Sequence, residues 1–198
     1  TFAMLLMLAG CAPGSVRQIE AMQRPEGTLK VVLMPMDVRI SELTIGGMEE
    51  PNAAWTSQAE RNIRLAVQDQ IRDRAGSFVV STPNLDDPER AKEQEQLVKL
   101  HEAVGATILG YRTGVLALPH KHGAFDWTLG PDVKLLQEQY GADYALFVYV
   151  RDSHSSAGRQ ATQVAVAILS LGKVYMPGGQ QVGFASLVDL RTGNIAWF

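Results

Sequence analysis

The chain has 198 residues, of which 46% are hydrophobic and 20% charged, and its formal net charge is -3. This composition is typical of a globular domain with a core, not of a disordered chain. The acidic balance argues against a nucleic-acid-binding surface, which usually carries a basic excess. With a single cysteine, Cys11, no intrachain disulfide bond can form.

The first ten residues, TFAMLLMLAG, carry no charge and are apolar from Phe2 to Ala9. This run is too short to cross a bilayer as a helix, which needs about 20 apolar residues. It has the character of the apolar part of an export signal, which is followed by small residues at a cleavage point. We therefore expect residues 1–10 to be the remainder of a signal peptide whose basic front part is missing.

The four residues Leu8, Ala9, Gly10 and Cys11 resemble the lipobox of bacterial lipoproteins. The resemblance implies that Cys11 is acylated on its sulfur and becomes the first residue after cleavage. Two or three acyl chains anchor a protein firmly where one is marginal. Ala12 in the next position, in place of Asp, implies sorting to the periplasmic face of the outer membrane. The alternative is a buried cysteine in an apolar N-terminal segment.

Residues 11–28 contain prolines and glycines and little periodicity, which predicts a lipidated N-terminus followed by a tether. A single α/β domain is expected over residues 29–198. Its first strand is predicted over residues 29–38, where apolar residues occupy both odd and even positions, as expected for a strand covered on both faces. A bulge or strand end is predicted at Pro35. Residues 40–52, with two adjacent glycines and a proline, are expected to form a loop.

The first helix is predicted to begin at Ser57, which forms a capping-box pattern with Glu60. Its apolar face comprises Ala59, Ile63, Ala66, Val67 and Ile71. Gly76 is expected to end it, and residues 77–81 to form a short strand.

Asp87 and Pro88 have the character of an N-cap and a first helical residue. They predict a second helix that runs to about Val104 and ends at Gly105, with a further possible strand over residues 106–111. Glu95 and Lys99 are spaced for an exposed ion pair on this helix.

Residues 115–130 form a long loop, and a third helix follows from Pro131 to Gly141. Strands are then predicted over residues 143–150 and 182–190, and a hairpin turn at residues 191–194 returns the chain into residues 195–198. Residues 157–171 fit a helix and a strand equally well. Because the last strand is cut short, we expect the true C-terminus to lie further on. The order of elements predicts an α/β fold with a mixed sheet, helices packed on it and a C-terminal β-hairpin.

Several of these segments resemble a group of periplasmic lipoproteins that includes the curli-secretion lipoprotein CsgG, the exopolysaccharide lipoprotein PelC and the penicillin-binding-protein activator LpoB. The likeness lies in the lipobox, the apolar first strand ending in a proline (residues 31–36), the long helix after it, residues 141–146 (GADYAL) and the hairpin at residues 187–197 (LVDLRTGNIAW). The resemblance implies a TolB-N-terminal-like α/β sandwich. Members of the group are usually scaffolds or assembly factors and not catalysts.

Few side chains suggest chemistry. His120 and His122 lie close together, but two imidazoles are too few for a structural zinc site, so no metal and no cofactor is expected. Asp152, Ser153 and His154 are neighbours in sequence, which does not make a catalytic triad, and no nucleophile-elbow, phosphate-loop or metalloprotease motif occurs. We predict that the protein is not an enzyme, with an envelope hydrolase as an alternative.

Phe125 and Trp127, in the glycine-flanked loop, are the predicted contact surface, since aromatic residues are enriched at binding hot spots; the alternative is that such aromatic residues are part-buried in the core. The predicted function is that of a lipid-anchored accessory in envelope assembly or secretion, which acts through protein partners, including other copies of itself in a homo-oligomer. A second alternative is an oligomeric secretion pore, because the apolar residues 161–171 have about the length of one barrel strand.

Overall fold

A computed structural model describes residues 27–43, 49–72, 78–83, 86–153 and 181–198. The predicted signal remainder, lipobox, Cys11 and most of the tether lie outside the described residues. So do residues 157–171, for which helix and strand stay open, and Gly76, the predicted end of the first helix. No helix within the described ranges is both long and apolar enough to cross a membrane.

Ten principal elements follow one another along the described chain, and two short 3-10 turns lie at Pro119–Lys121 and Pro131–Val133. In chain order they are β1 (Leu29–Leu33), β2 (Asp37–Leu43), β3 (Glu49–Pro51), α1 (Ala53–Arg72), β4 (Phe78–Ser81), α2 (Pro88–Arg112), α3 (Lys134–Tyr140), β5 (Tyr144–Asp152), β6 (Gln181–Asp189) and β7 (Ile195–Trp197).

The described strands form one mixed sheet, and β5 lies at its centre. On one edge of β5, both β1 and β2 run parallel to it, end to end, with Leu33 opposite Leu146 and Asp37 opposite Tyr149. On the other edge, β6 pairs antiparallel with β5 over its whole length and then with β7. β4 extends the sheet beyond β1, and β3 extends it beyond β2.

Helices cover both faces of this sheet. On one face, Ala59, Ile63 and Val67 of α1 pack against side chains of β1, β2, β5 and β6 such as Val148 and Val150. On the other face, α2, α3 and the residues around them pack on Val32, Phe147, Val188 and Ile195. The structure therefore confirms an α/β fold with a mixed sheet and helices packed on it. The TolB-N-terminal-like arrangement in particular stays a prediction.

The strand predicted over residues 29–38 is divided at Pro35, as the proline indicates. Between the pairs at Leu33 and Asp37 the chain advances by four residues while β5 advances by three, which is the count of a β-bulge. The prediction of a loop over residues 40–52 is wrong where the structure describes it, because β2 continues to Leu43 and β3 occupies Glu49–Pro51. Pro51 did not prevent β3 from pairing with β2 at the edge of the sheet.

The predicted capping box at Ser57 is wrong. α1 begins at Ala53, and Asn52 caps it by accepting a 3.0 Å hydrogen bond from the Trp55 backbone N–H at its side-chain Oδ1. Ser57 is an exposed residue within the helix. The predicted apolar face is confirmed at Ala59, Ile63 and Val67, which are buried, and at Ala66, which packs beside them.

The second helix is longer than predicted. It continues through Gly105 to Arg112, so the predicted strand over residues 106–111 is wrong. Gly105 is buried inside the helix, and a Cβ there would lie 2.0 Å from Cε2 of Phe184. The glycine thus allows α2 to approach the sheet closely instead of ending the helix.

Other local predictions are confirmed. The Asp87 side chain accepts hydrogen bonds from the backbone N–H groups of Glu89 and Arg90 at the start of α2. Glu95 and Lys99 form a 2.7 Å ion pair on its exposed side. Gly141 ends α3 in the left-handed region, with φ of 58°. The C-terminal hairpin of β6 and β7 is also present.

Candidate functional site

The loop between α2 and α3, residues 113–130, is long but internally ordered, and we name it the contact loop. Its centre is held by Lys121, whose ammonium group is paired with the Asp126 carboxylate and lies 4.0 Å from the ring centroid of Trp127. Tyr111, at the end of α2, packs against Trp127 with 6.2 Å between ring centroids, and its hydroxyl accepts a 3.1 Å hydrogen bond from the Gly123 N–H. Loops longer than about 15 residues are uncommon in compact domains, and those that are not disordered are usually functional.

The end of the contact loop is tied to the C-terminal hairpin by backbone hydrogen bonds. Trp127 O accepts from the Ile195 N–H at 2.9 Å, and the Leu129 N–H donates to Gly193 O at 2.9 Å. Gly193 has φ of 78°, and a Cβ there would lie 2.1 Å from the carbonyl oxygen of Gly130. Only glycine therefore fits where loop and hairpin meet.

Phe125 and Trp127, the predicted contact residues, are both half-buried and pack against the core on the α2 face of the sheet. They anchor the contact loop, and their remaining exposed surface is what they offer to a partner. Their role as a contact surface stays a prediction. The most exposed large apolar side chains of the loop lie earlier, at Val115, which is 86% exposed, and Leu116, which is 39% exposed; neither was among the predicted contact residues.

The two histidines of the contact loop, His120 and His122, are both exposed. His122 has φ of 45°, an uncommon left-handed conformation that turns the backbone after the short 3-10 turn. In the described ranges, no group of three or more His, Cys, Asp or Glu side chains is arranged to hold a metal ion. Of the neighbouring serine and histidine considered as catalytic residues, Ser153 is buried, with 6% of its surface exposed. His154 lies outside the described residues.

A buried polar pair lies under α2, at the centre of the sheet. His101 Nε2 is 2.9 Å from Ser186 Oγ, and the imidazole stacks on Phe147 with 5.1 Å between centroids. Burial lowers the pKa of His101 to about 3, so the ring is neutral at physiological pH. Because Ser186 is 0% exposed and His101 1%, no substrate reaches this pair in the folded protein. Its geometry fits a satisfied core hydrogen bond.

A second polar cluster lies near the end of β5. Arg151 Nη2 is 2.7 Å from Asp37 Oδ1 and 3.8 Å from Glu102 Oε1, and the guanidinium stacks on Tyr149 at 4.2 Å. Burial is the largest influence on the Tyr149 phenol and raises its pKa. These contacts join β2, β5 and α2, residues far apart in the sequence, so no local sequence signal could have identified the cluster. Arg151 offsets one of the two negative charges and contacts both carboxylates, so the charged groups of the cluster are engaged within the fold, which fits a structural role.

Three comparisons bear on identity: no family model, no curated protein and no solved structure matches this chain. The resemblance to the periplasmic lipoprotein group therefore rests on the quoted sequence segments alone. The described residues offer two engaged polar clusters and one ordered, partly apolar loop.

Proposed function

We propose that this chain is a lipid-anchored lipoprotein at the periplasmic face of the outer membrane, a non-enzymatic accessory in envelope assembly or secretion. The observation that carries the proposal is the Leu8-Ala9-Gly10-Cys11 motif, preceded by an uncharged apolar run. A thiol in that context is the acceptor of the diacylglyceryl group in bacterial lipoproteins. Each buried CH₂ of an acyl chain contributes about 0.8 kcal/mol to membrane binding.

The contact loop supports the protein-contact half of the proposal. Its backbone is held by the Tyr111–Gly123 hydrogen bond and by the hydrogen bonds to Gly193 and Ile195. A loop ordered before binding loses little conformational entropy on meeting a partner. The polar clusters at His101 and Arg151 are engaged within the fold, which agrees with a protein that acts by contact and not by catalysis.

The anchor is tested in the native host by feeding radiolabelled palmitate to cells that produce the wild type or Cys11→Ser. We expect label only in the wild type, and we expect Cys11→Ser to leave the outer-membrane fraction. The matched control, Ser15→Ala, replaces another small polar residue of the N-terminal segment and should leave labelling and fractionation unchanged. An unlabelled wild type, or a Cys11→Ser chain that fractionates as before, would overturn the proposal.

The protein contact is tested by a photo-crosslinking side chain at the exposed His120 in the contact loop. The same probe at Arg61, an exposed residue of α1 on the other face of the sheet, is the matched control. We expect a discrete covalent adduct with an envelope protein from position 120 only. Equal adducts from both positions, or none from position 120, would contradict a contact through this loop.

A further inference from the structure

One face of the Trp127 indole is in contact with a cation that the chain itself supplies. The Lys121 ammonium nitrogen lies 4.0 Å from the indole centroid, is paired with the Asp126 carboxylate and lies 3.4 Å from Asp126 O. Tyr111 packs against the indole in a tilted arrangement, with 60° between the ring planes. Tryptophan is the best aromatic partner for an ammonium group, and a carboxylate adds a charge-assisted hydrogen bond. We name Tyr111, Asp126 and Trp127 the ammonium site.

The backbone of the contact loop is held mainly by hydrogen bonds that use no side-chain atom of Lys121. The Lys121 N–H donates to Leu118 O at 3.0 Å, and the Ala124 N–H donates to Lys121 O at 2.8 Å, so any residue except proline could make both bonds. The hydrogen bonds of the loop to Tyr111 and Ile195 are also independent of it. The Lys121 side chain therefore fills a preformed site instead of building the loop.

Another ammonium group can take the place of Lys121 at little net cost. The Asp126 side chain is 68% exposed, so its carboxylate is open to a second cation from solvent. A released lysine regains the rotamer freedom that it loses when its side chain is held. The incoming group would make the same contacts with the indole and the carboxylate. The net charge of -3 on the chain also favours a cationic partner.

We propose that the Trp127 face and the Asp126 carboxylate bind the ammonium group of a lysine on a protein partner, which displaces Lys121. The ligand class follows from the present occupant, since a lysine ammonium is the group that the site already holds. This inference rests on the protein-contact half of the proposed function, because the partner delivers its lysine while it contacts the loop. Lys121 is then a built-in competitor, which only a partner with further contacts around the loop displaces.

The test removes the competitor from the full chain, in Lys121→Ala. The probe is n-butylammonium chloride, which has the chemistry of a lysine side chain, titrated at constant ionic strength and followed by the NMR signal of the Trp127 indole N–H. We expect saturable binding to Lys121→Ala and at least about tenfold weaker binding to the wild type, because a competitor in the same molecule has a high effective concentration. The matched control, Lys134→Ala, removes another exposed lysine and should behave as the wild type.

A second substitution tests the carboxylate of the ammonium site. Asp126→Asn, made in the Lys121→Ala chain, should weaken butylammonium binding severalfold, because the hydrogen bond to a charged acceptor is lost. Hydrogen exchange at the Gly123 amide shows whether the loop is retained in each variant. If Lys121→Ala loosens the loop, Lys121→Gln gives the same comparison with a side chain of similar length and no charge.

Two results of the titration would overturn the inference: no saturable binding to the variant with an intact loop, or equal binding to that variant and the wild type. Tighter binding of tetramethylammonium than of butylammonium would indicate a quaternary ammonium headgroup of a lipid, which overturns the assignment to lysine.

The photo-crosslinking experiment at position 120 separates this inference from the proposed function. An adduct from position 120, together with no butylammonium binding to Lys121→Ala, would defeat the ammonium site and leave the loop contact standing. The absence of any adduct would defeat both, since no partner would then deliver the lysine.

Discussion

The two halves of α2 lie on the same face of the sheet but differ sharply on their solvent side. Between Pro88 and Lys99 the exposed side includes Lys92, Glu95 and Lys99, and its charges form ordinary surface ion pairs. From residue 103 to residue 111 no charged residue occurs, and Ala103 and Ala106 take the exposed positions.

The two halves of α2 therefore do different things, because the first half faces solvent and the second half supports other parts of the fold. The first half is a solvated helix whose cap and charge pattern are readable locally. The second half is a support, because its inner side fits a glycine against Phe184 and its end is hydrogen-bonded to the start of the contact loop. Four substitutions or conditions break or sharpen this contrast, from the largest expected effect to the smallest.

Gly105→Val should reduce the free energy of unfolding by about 3 kcal/mol, because overpacking at a rigid site carries a cost of this order. The new Cβ would overlap the ring of Phe184, which is itself stacked on Tyr149 and Phe198. Chemical denaturation measures the loss.

The matched control for this substitution is Gly110→Ala on the same half of the helix. A Cβ there meets only Leu116 Cβ at 3.4 Å, so the higher helix propensity of alanine should stabilise the protein by up to about 1 kcal/mol. Equal losses at positions 105 and 110 would refute the close-packing role of Gly105.

The unfolding free energy should fall by about 2 kcal/mol between pH 7 and pH 5 because of His101. Its folded pKa is about 3, below the unfolded value of 6.5, so the unfolded chain binds the proton first. The stability is therefore present above pH 6.5 and is lost as the pH falls towards 3. Denaturant titrations at several pH values measure it. In His101→Leu the loss of unfolding free energy between pH 7 and pH 5 should be smaller by the same amount. An unchanged pH dependence would contradict the low pKa of folded His101.

Tyr111→Phe should destabilise the contact loop by about 1 kcal/mol, since it removes the acceptor of the Gly123 N–H while keeping the ring beside Trp127. Hydrogen exchange at the Gly123 amide should accelerate more than exchange at the Ile195 amide, which bonds to Trp127 O. Thr107→Ser, a conservative change on the same helix, should leave both rates unaltered. Uniform acceleration would indicate global destabilisation instead.

Glu95→Gln should leave the midpoint of unfolding unchanged within error. The Glu95 and Lys99 side chains are 63% and 68% exposed, and such ion pairs are screened by water and salt. Differential scanning calorimetry at low and high salt checks this. A clear loss at low salt would mean that the first half of α2 depends on its charges after all.

Some features of the loop, the hairpin and the helices could be predicted from neighbouring residues in the sequence, and others could not. The hairpin glycine Gly193 and the helix cap Asp87 were predictable, because each acts on its own neighbours through φ or through a backbone N–H. For Phe125 and Trp127 the sequence left a contact surface and part-burial in the core as alternatives, since their burial depends on the core beneath them. The exposed Val115 escaped notice because an apolar residue in a sequence is ordinarily expected to be buried.

The sequence by itself determined the α/β class, the apolar face of α1, the strand at the centre of the sheet and the C-terminal hairpin. These follow from periodicity, caps and turn residues, which act over a few positions. Only the tertiary structure decided that Gly105 lies inside a helix, that residues 106–111 are helical, and that His101 and Ser186 meet under it. Gly105 and His101 both meet side chains of β6, about 80 residues further along the chain, where packing outweighs local propensity.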